Sequence, residues 1–414
     1  MKGGRNMTYH KRAAEALIQK ISQQFPVLLL TGPRQVGKTT LLNYLFEQHY
    51  RLVTLDDPLL RQQIKQDPLL FFQNFSGEKL LIDEVQYCPE LFPYLKMEAD
   101  RRKEAGQFIL TGSQAFVLMK DVSESLAGRI AILNLQGVSL REQAGLEFSQ
   151  AFLPSPEYVL AREEALRPYT DLWPKIHRGT MPRLVFNAEV DWTIYYSSYV
   201  QSYIERDVRS LTQVGDQNLF LQFMVALAAR SGELLNYQSL AKDLGLSSIT
   251  VKRWISILES SQIIYLLRPY ANNHLKRAIK TPKIYFMDTG LLAYLTGWPN
   301  PETLMRGAQA GNVFETFLIS EIVKSYLNAG IVRPPLFFYR DRDGKEIDIL
   351  IEQGEKIYPI EIKATAKPNA KMSANFSVLE ALKDHELQRG TILCQYPRKL
   401  LLSENTLALP IDYI

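Results

Sequence analysis

Val27-Leu28-Leu29-Leu30-Thr31-Gly32-Pro33-Arg34-Gln35-Val36-Gly37-Lys38-Thr39-Thr40-Leu41-Leu42 is the stretch on which the fold turns. Its opening run, Val27 to Leu30, is wholly apolar, too short for a helix, and bounded by Pro26 and a Gly-rich turn. That predicts a strand buried on both faces. A helical stretch follows from Thr39 to Gln48, so strand, turn and helix open a βαβ unit. Between strand and helix, Gly32 to Thr39 match G-x-x-x-x-G-K-[ST] in full. The spacing has a chemical reason. Backbone N–H groups must wrap a phosphate, and glycines permit the dihedrals and the close approach. Lys38 is placed to reach the β- and γ-phosphates, and the Thr39 hydroxyl to ligate Mg²⁺. The N-terminus of the helix adds its positive dipole end to the same anion. Gly32, Pro33, Arg34, Gln35, Val36, Gly37, Lys38, Thr39 and Thr40 are therefore the expected nucleotide-binding residues, and ATP with Mg²⁺ the expected ligand.

A phosphate loop needs acids at the far end of a neighbouring strand. Leu80-Leu81-Ile82-Asp83-Glu84 supplies them. In parallel sheets ligands bind at the C-terminal strand ends, which puts Asp83 on the metal and Glu84 beside the attacking water as its base. Phe108 to Leu110 is a further strand, ending in Thr111-Gly112-Ser113. Thr111 or Ser113 is expected to sense the γ-phosphate. In Leu126-Ala127-Gly128-Arg129, the arginine is a candidate for stabilising phosphoryl charge, in cis or on a neighbouring subunit. Ala13 to Gln24 reads as an amphipathic helix, and Leu52 to Leu55 and Lys79 to Ile82 as strands. Together they imply a mostly parallel, doubly wound sheet over about residues 20–140.

The whole chain has 414 residues, enough for two or three domains at roughly 150 each. Lys plus Arg exceed Asp plus Glu by 48 − 44 = 4, so any nucleic-acid footprint must be local. The two cysteines, Cys88 and Cys394, are too far apart for a zinc spacing and fit a reducing compartment. Met1 to Arg12 lacks the apolar core of a leader, and no apolar run approaches the ~20 residues of a membrane span. A cytoplasmic location without membrane partners is expected, and Met7 is an alternative start.

The motifs Val27–Leu42, Leu81–Phe92 (L-I-D-E-V-Q-Y-C-P-E-L-F), Ile109–Gln114 (I-L-T-G-S-Q) and Leu126–Ile130 (L-A-G-R-I) resemble a specific family. It is the bacterial and archaeal AAA-type P-loop ATPases with a C-terminal domain of unknown function, number 4143. Asn236–Ala241, Pro282–Leu291 and Gly344–Asp348 are similar to motifs of the trailing domain. The resemblance covers roughly residues 9–365. It implies the ATPase and the architecture rather than a biological role.

Leu235 to Ser260 has the spacing of a helix-turn-helix. Gly245 makes the turn, Ser247 or Ser248 caps the second helix, and Val251, Trp254, Ile255 and Leu258 form its buried stripe. Lys252 and Arg253 face outward. Ile263–Leu267 and Lys283–Phe286 are the expected wing. No acid lies between Glu259 and Asp288, while Arg268, Lys276, Arg277, Lys280 and Lys283 do. Lys252, Arg253, Lys276, Arg277 and Lys280 are the candidate contacts to duplex DNA.

Near the C-terminus Asp348 stands in an apolar strand, where a charge must be paired. Ile360-Glu361-Ile362-Lys363 follows, with Glu361 and Lys363 on one face by alternation. With Glu315 on a helix beginning near Gly311, the pattern is E…D…E-x-K. It looks like the PD-(D/E)XK nuclease fold. That resemblance implies a metal at Glu315, Asp348 and Glu361, with Lys363 orienting water.

The expected fold class is α/β. A doubly wound AAA-type P-loop core spans residues 1–150 and a connection 151–190. A helical and winged helix-turn-helix domain spans 191–300, and a small α/β PD-(D/E)XK-like domain 301–414. Two functional readings stand. One is a Mg-dependent ATPase coupling hydrolysis to an action on double-stranded DNA. The other is an ATP-gated switch that binds a protein partner or its own copies, with the nuclease-like domain inactive.

Overall fold

The computed structural model describes residues 9–113, 125–203, 217–270, 281–381 and 385–414. The chain divides into two compact units, Met1–Ser149 with Asn328–Val332, and Gln150–Leu327 with Arg333–Ile414.

The first unit is built on a five-stranded sheet of order β2-β3-β4-β1-β5. Its strands are β1 (Val27–Thr31), β2 (Arg51–Thr54), β3 (Leu80–Asp83), β4 (Phe108–Gly112) and β5 (Ile130–Asn134). Every pairing is parallel. β1, β3 and β4 are buried along their whole length, as their unbroken apolar runs require. Helices α1 (Glu15–Ser22), α2 (Lys38–Phe46), α3 (Pro58–Gln66), α4 (Pro68–Asn74) and α5 (Phe92–Arg102) accompany the sheet. Asp57 and Asp67 start α3 and α4 by accepting backbone N–H bonds, each followed by a proline at the first helical position. The core packs Leu29, Ile82, Phe72, Phe92, Leu95 and Phe108 together.

Register decides what this sheet presents. Thr31 stands level with Gly112 and Asn134, and Thr54 level with Asp83. All five strands therefore end at one edge, where the loops after β1, β3 and β4 meet. β5 was not expected as a strand: Leu126–Ile130 read only as a motif, and the alternation that follows is short and half-buried.

The second unit begins where a connection was expected. Pro156–Glu164, Leu172–Arg178 and Pro182–Val185 are helical instead. The first of these is fastened to the chain's end: Tyr158 Oη donates to the Tyr413 carbonyl (2.8 Å) and the fully buried Arg162 to that of Asp412 (2.7 Å). These segments read as a connection in sequence because each helix is short and carries a proline.

Further on come helices α6 (Gln217–Ala228), α7 (Tyr237–Leu244) and α8 (Ser248–Ser260). Gly245 takes the left-handed conformation (φ 65°) between α7 and α8, and Ser247 Oγ caps α8 on the Thr250 N–H. Strands β6 (Ile264–Pro269) and β7 (Lys283–Phe286) pair antiparallel. β6 also pairs in parallel with β8 (Leu336–Arg340), through Arg268–Phe337 and Pro269–Phe338. The ribbon is thus one edge of a larger sheet that crosses the boundary expected near residue 300. From β8 the sheet continues through β9 (Glu346–Gln353), β10 (Lys356–Lys363), β12 (Gly390–Cys394), β14 (Thr406–Pro410) and β13 (Leu400–Ser403), with β11 (Glu386–Leu387) beside β10. The long, almost wholly buried helix α9 (Ala310–Asn328) carries Glu315. Among the described residues, no helix is long and apolar enough to cross a membrane.

Candidate functional site

The loop after β1 has the geometry its sequence asks for. Gly32 has φ 147°, and a Cβ there would lie 2.0 Å from the Leu135 carbonyl oxygen, so only glycine fits. Gln35 and Gly37 also have positive φ, at 62° and 90°. Lys38 is buried and donates to the carbonyls of Gly32 (2.9 Å) and Pro33 (2.8 Å), curled over its own loop. Arg34 is half-buried, whereas Gln35 and Thr40 face solvent.

One anchor of this loop escaped sequence reading. Arg12 is 5% exposed. Its guanidinium donates to the Val36 carbonyl (2.8 Å), the Gln136 carbonyl (2.8 Å) and Glu142 (2.9 Å). Glu142 also accepts from Ser139 Oγ (2.9 Å) and the Ala13 N–H (2.9 Å). Burial alone would raise the Glu142 carboxyl; Arg12 and these N–H groups outweigh it and hold it below the usual range. A lone arginine 24 positions before Val36 carries no motif, so nothing in the sequence signals it.

The acids after β3 meet the loop. Thr39 Oγ1 donates to Asp83 Oδ1 at 2.8 Å, and Thr111 Oγ1 donates to the same oxygen. Thr111 is thereby committed to Asp83, and its Oγ1 also accepts from the Glu84 N–H (3.1 Å). Glu84 has φ 57°, a left-handed backbone that a non-glycine residue adopts at a cost and that recurs at functional sites. Its carboxylate accepts from Gln86 Nε2 and, more weakly, from Ser113 Oγ (3.4 Å). Gln86 was not among the expected site residues, although it stands in the quoted D-E-V-Q string.

Arg129 is elsewhere. It precedes β5, and its carbonyl accepts from Val27 N (3.2 Å), the first residue of β1. A five-residue strand at about 3.3 Å per residue puts it roughly 16 Å from the phosphate loop of its own chain. There it forms a two-pronged pair with Asp100, Nη2 to Oδ2 at 3.0 Å. A finger acting in cis is therefore corrected: the parallel strand order sends Arg129 to the opposite edge.

In the second unit, Glu315, Asp348, Glu361 and Lys363 form one electrostatic cluster. Asp348 Oδ2 accepts the Ile362 N–H (2.8 Å) and lies 3.5 Å from Lys363 Nζ, which donates to Glu361 at 2.7 Å. Glu361 is pushed up to about 8 by burial and by Asp348, with which it shares a hydrogen bond. Burial and Asp348 likewise raise Glu315 to about 7. Glu315 accepts from Tyr285 Oη (2.6 Å) and Lys283 Nζ (3.2 Å), and Lys283 also pairs with Glu346 (2.5 Å). Lys283, expected on a basic wing, is thus a correction: it is 4% exposed and turned into the sheet. Among the described residues no three His, Cys, Asp or Glu side chains are grouped to hold a metal ion. The acids expected as metal ligands are paired with lysines and with one another.

On α8, Val251, Trp254, Ile255 and Leu258 are buried as expected, and Lys252 and Arg253 are exposed. Ile249 on the same side is 80% exposed. Lys276, Arg277 and Lys280 lie outside the described residues.

Three family models match successive stretches of the chain. Residues 24–144 match the family model of the AAA domain, and residues 310–414 that of a domain of unknown function, DUF4143. Residues 169–302 match a separate domain of unknown function, DUF8612, so α7 and α8 fall outside the DUF4143 match. An uncharacterised protein of Mycobacterium tuberculosis is 29% identical over 411 residues, covering 99% of this chain and 85% of that one. One from Methanocaldococcus jannaschii is 27% identical over 334 residues, covering 73% and 67%. Among solved structures, the Walker-type ATPase of Pyrococcus abyssi is similar at 15% identity and a TM-score of 0.42, over 70% of this chain and 97% of that one.

Proposed function

We propose that this chain, an AAA-type P-loop ATPase with a C-terminal DUF4143 domain, binds ATP with Mg²⁺ and hydrolyses it. The observation that carries this reading is the 2.8 Å hydrogen bond between Thr39 and Asp83, residues 44 positions apart. A hydroxyl and a carboxylate side by side are hard oxygen donors, which is what Mg²⁺ takes. Bound there, the metal neutralises charge on the phosphates. Lys38 exchanges two backbone carbonyls for phosphate oxygens. Loop N–H groups line the anion, and Glu84, one residue beyond Asp83, accepts the proton of the attacking water. Arg129 serves a neighbouring copy, since its own loop is out of reach. Titration of ATP–Mg²⁺ onto the protein tests the reading. Lys38→Ala should weaken binding by about 100-fold or more, the loss of a charge-assisted contact to phosphate. Equal binding by the variant would contradict it.

The action to which hydrolysis is coupled is on duplex DNA, through the outer face of α8. Support comes from Lys252 and Arg253 exposed beside an unpacked Ile249, cations for phosphate next to an apolar contact for a base. The rival is a protein partner on the same face; only DNA binding should weaken steeply with salt. The C-terminal cluster acts as a scaffold rather than a cutting site: Lys363 and Lys283 pair with its acids, and burial beside Asp348 favours the protonated forms of Glu361 and Glu315.

A further inference from the structure

We propose that Gln86 is a catalytic residue of the hydrolysis site: its amide nitrogen holds Glu84 and its carbonyl oxygen orients the attacking water. The inference rests on the ATPase reading above and adds to it the group that aligns the nucleophile.

Gln86 lies in the helical turn Val85–Tyr87, directly after Glu84. Val85 is fully buried in the core of the first unit, which pins the turn. The left-handed Glu84 reverses the chain there, so the side chains of residues 84 and 86 meet. Gln86 Nε2 donates to Glu84 Oε2 and lies 3.3 Å from Ser113 Oγ. These contacts also fix which end of the amide is which. Turned over, the carbonyl would face a carboxylate, acceptor against acceptor.

What remains is the carbonyl oxygen. Gln86 is 6% exposed, and its Oε1 finds no hydrogen-bond partner among the described residues. A buried acceptor without a donor is costly and rare. Gln107 has a similar orphan oxygen, but at the opposite end of β4 and away from the acids. Gln86 differs in being tied to the base itself and level with the phosphate edge. A role limited to restraining Glu84 needs only the amide nitrogen. The unmet acceptor stands beside the carboxylate that takes a proton and is closed to bulk solvent, so it meets the second O–H of one water molecule only when that water is seated with the nucleotide.

The step balances with those two acceptors. The water oxygen bonds to the γ-phosphorus as the bond to the β,γ-bridging oxygen breaks, and ADP leaves with that electron pair. One water proton passes to Glu84. The other, held by Gln86 Oε1 during attack, stays on the new phosphate.

The test compares wild type with Gln86→Met, which keeps the shape and removes both polar ends, and with Gln86→Asn, which keeps the amide but withdraws it. The prediction for each is a kcat lower by on the order of 100-fold, as for loss of one positioned polar group. Affinity for a non-hydrolysable ATP analogue and melting temperature should stay at wild-type values. Affinity for ADP with aluminium fluoride, which captures the water together with the phosphoryl group in flight, should fall by about tenfold or more. Wild-type turnover with undiminished kcat in both variants overturns the inference alone. So does a parallel loss of analogue binding and stability, which marks Gln86 as structural. A wild-type protein that binds ATP but never turns it over removes the ATPase reading and this inference with it.

Discussion

Two clusters of acids and lysines occupy this molecule, one in each unit, and they are wired in opposite ways. At the phosphate loop, Lys38 donates to two backbone carbonyls among its contacts, and Asp83 accepts from two hydroxyls. Near the C-terminus, Lys363 pairs with Glu361 and Asp348, and Lys283 with Glu315 and Glu346. On the proposed reading, the first arrangement serves a charged ligand. The second spends its charges internally. Residue types are alike in both, though Lys363 is more exposed than Lys38; the partner distinguishes a binding site from a rivet.

The largest expected effect tests the rivet. Lys283→Met leaves the largely buried Glu315 without its cation, while the half-buried Glu346 keeps Arg340 at 3.2 Å. The substitution should lower stability by about 3–5 kcal/mol, read by urea unfolding. A loss within error would place the cluster with the ligand-ready kind.

A smaller effect sharpens the same contrast through pH. Glu361 at about 8 and Glu315 at about 7 bind protons in the fold that the unfolded chain, at 4.5, has released. Folding therefore takes up protons between these values. The stabilisation is complete below pH 4.5 and is lost as pH rises through 7 to 8, with a slope of at most about 1.4 kcal/mol per pH unit for each group. Glu361→Gln should remove one group's share of that slope, measured in chelator. If added Mn²⁺ or Mg²⁺ abolishes the slope in wild type, the cluster is a cation site and the comparison breaks.

The smallest effect concerns the exposed face of α8, which carries Lys252, placed over the Tyr237 ring at 5.6 Å, and Arg253. Lys252→Ala with Arg253→Ala should reduce the log–log salt slope of duplex DNA binding by roughly one for each lost phosphate contact. Binding that keeps its slope moves the DNA surface off α8.

What was legible in the sequence follows from how far each device reaches along the chain. The phosphate loop is contiguous, so Gly32, Gly37, Lys38 and Thr39 declared themselves with their strand and helix. Asp83 and Glu84 were legible because an apolar run ending in acids has one natural place in a parallel sheet. The pattern Glu315, Asp348, Glu361, Lys363 was readable as a set. Its meaning was not, since Lys283 reaches it from another strand across 32 residues. Arg12 clamps Val36 and Glu142 through tertiary contacts alone and left no trace. Arg129 misled because its motif says nothing of direction, whereas the register of β5 against β1 sends it to the far edge. Residues 156–185 read as a connection because short, proline-started helices look like loops until their partners, such as Tyr413, are known.

The most direct measurement is on Glu84→Gln, which keeps shape and hydrogen bonding and removes only the proton acceptor. Its ATP affinity and its single-turnover hydrolysis should be measured side by side with wild type. Unchanged affinity and a hydrolysis rate lower by about 100-fold or more are expected. Hydrolysis at the wild-type rate would contradict the role of Glu84 as the base, and with it the claim that the acids after β3 are kept for the ligand.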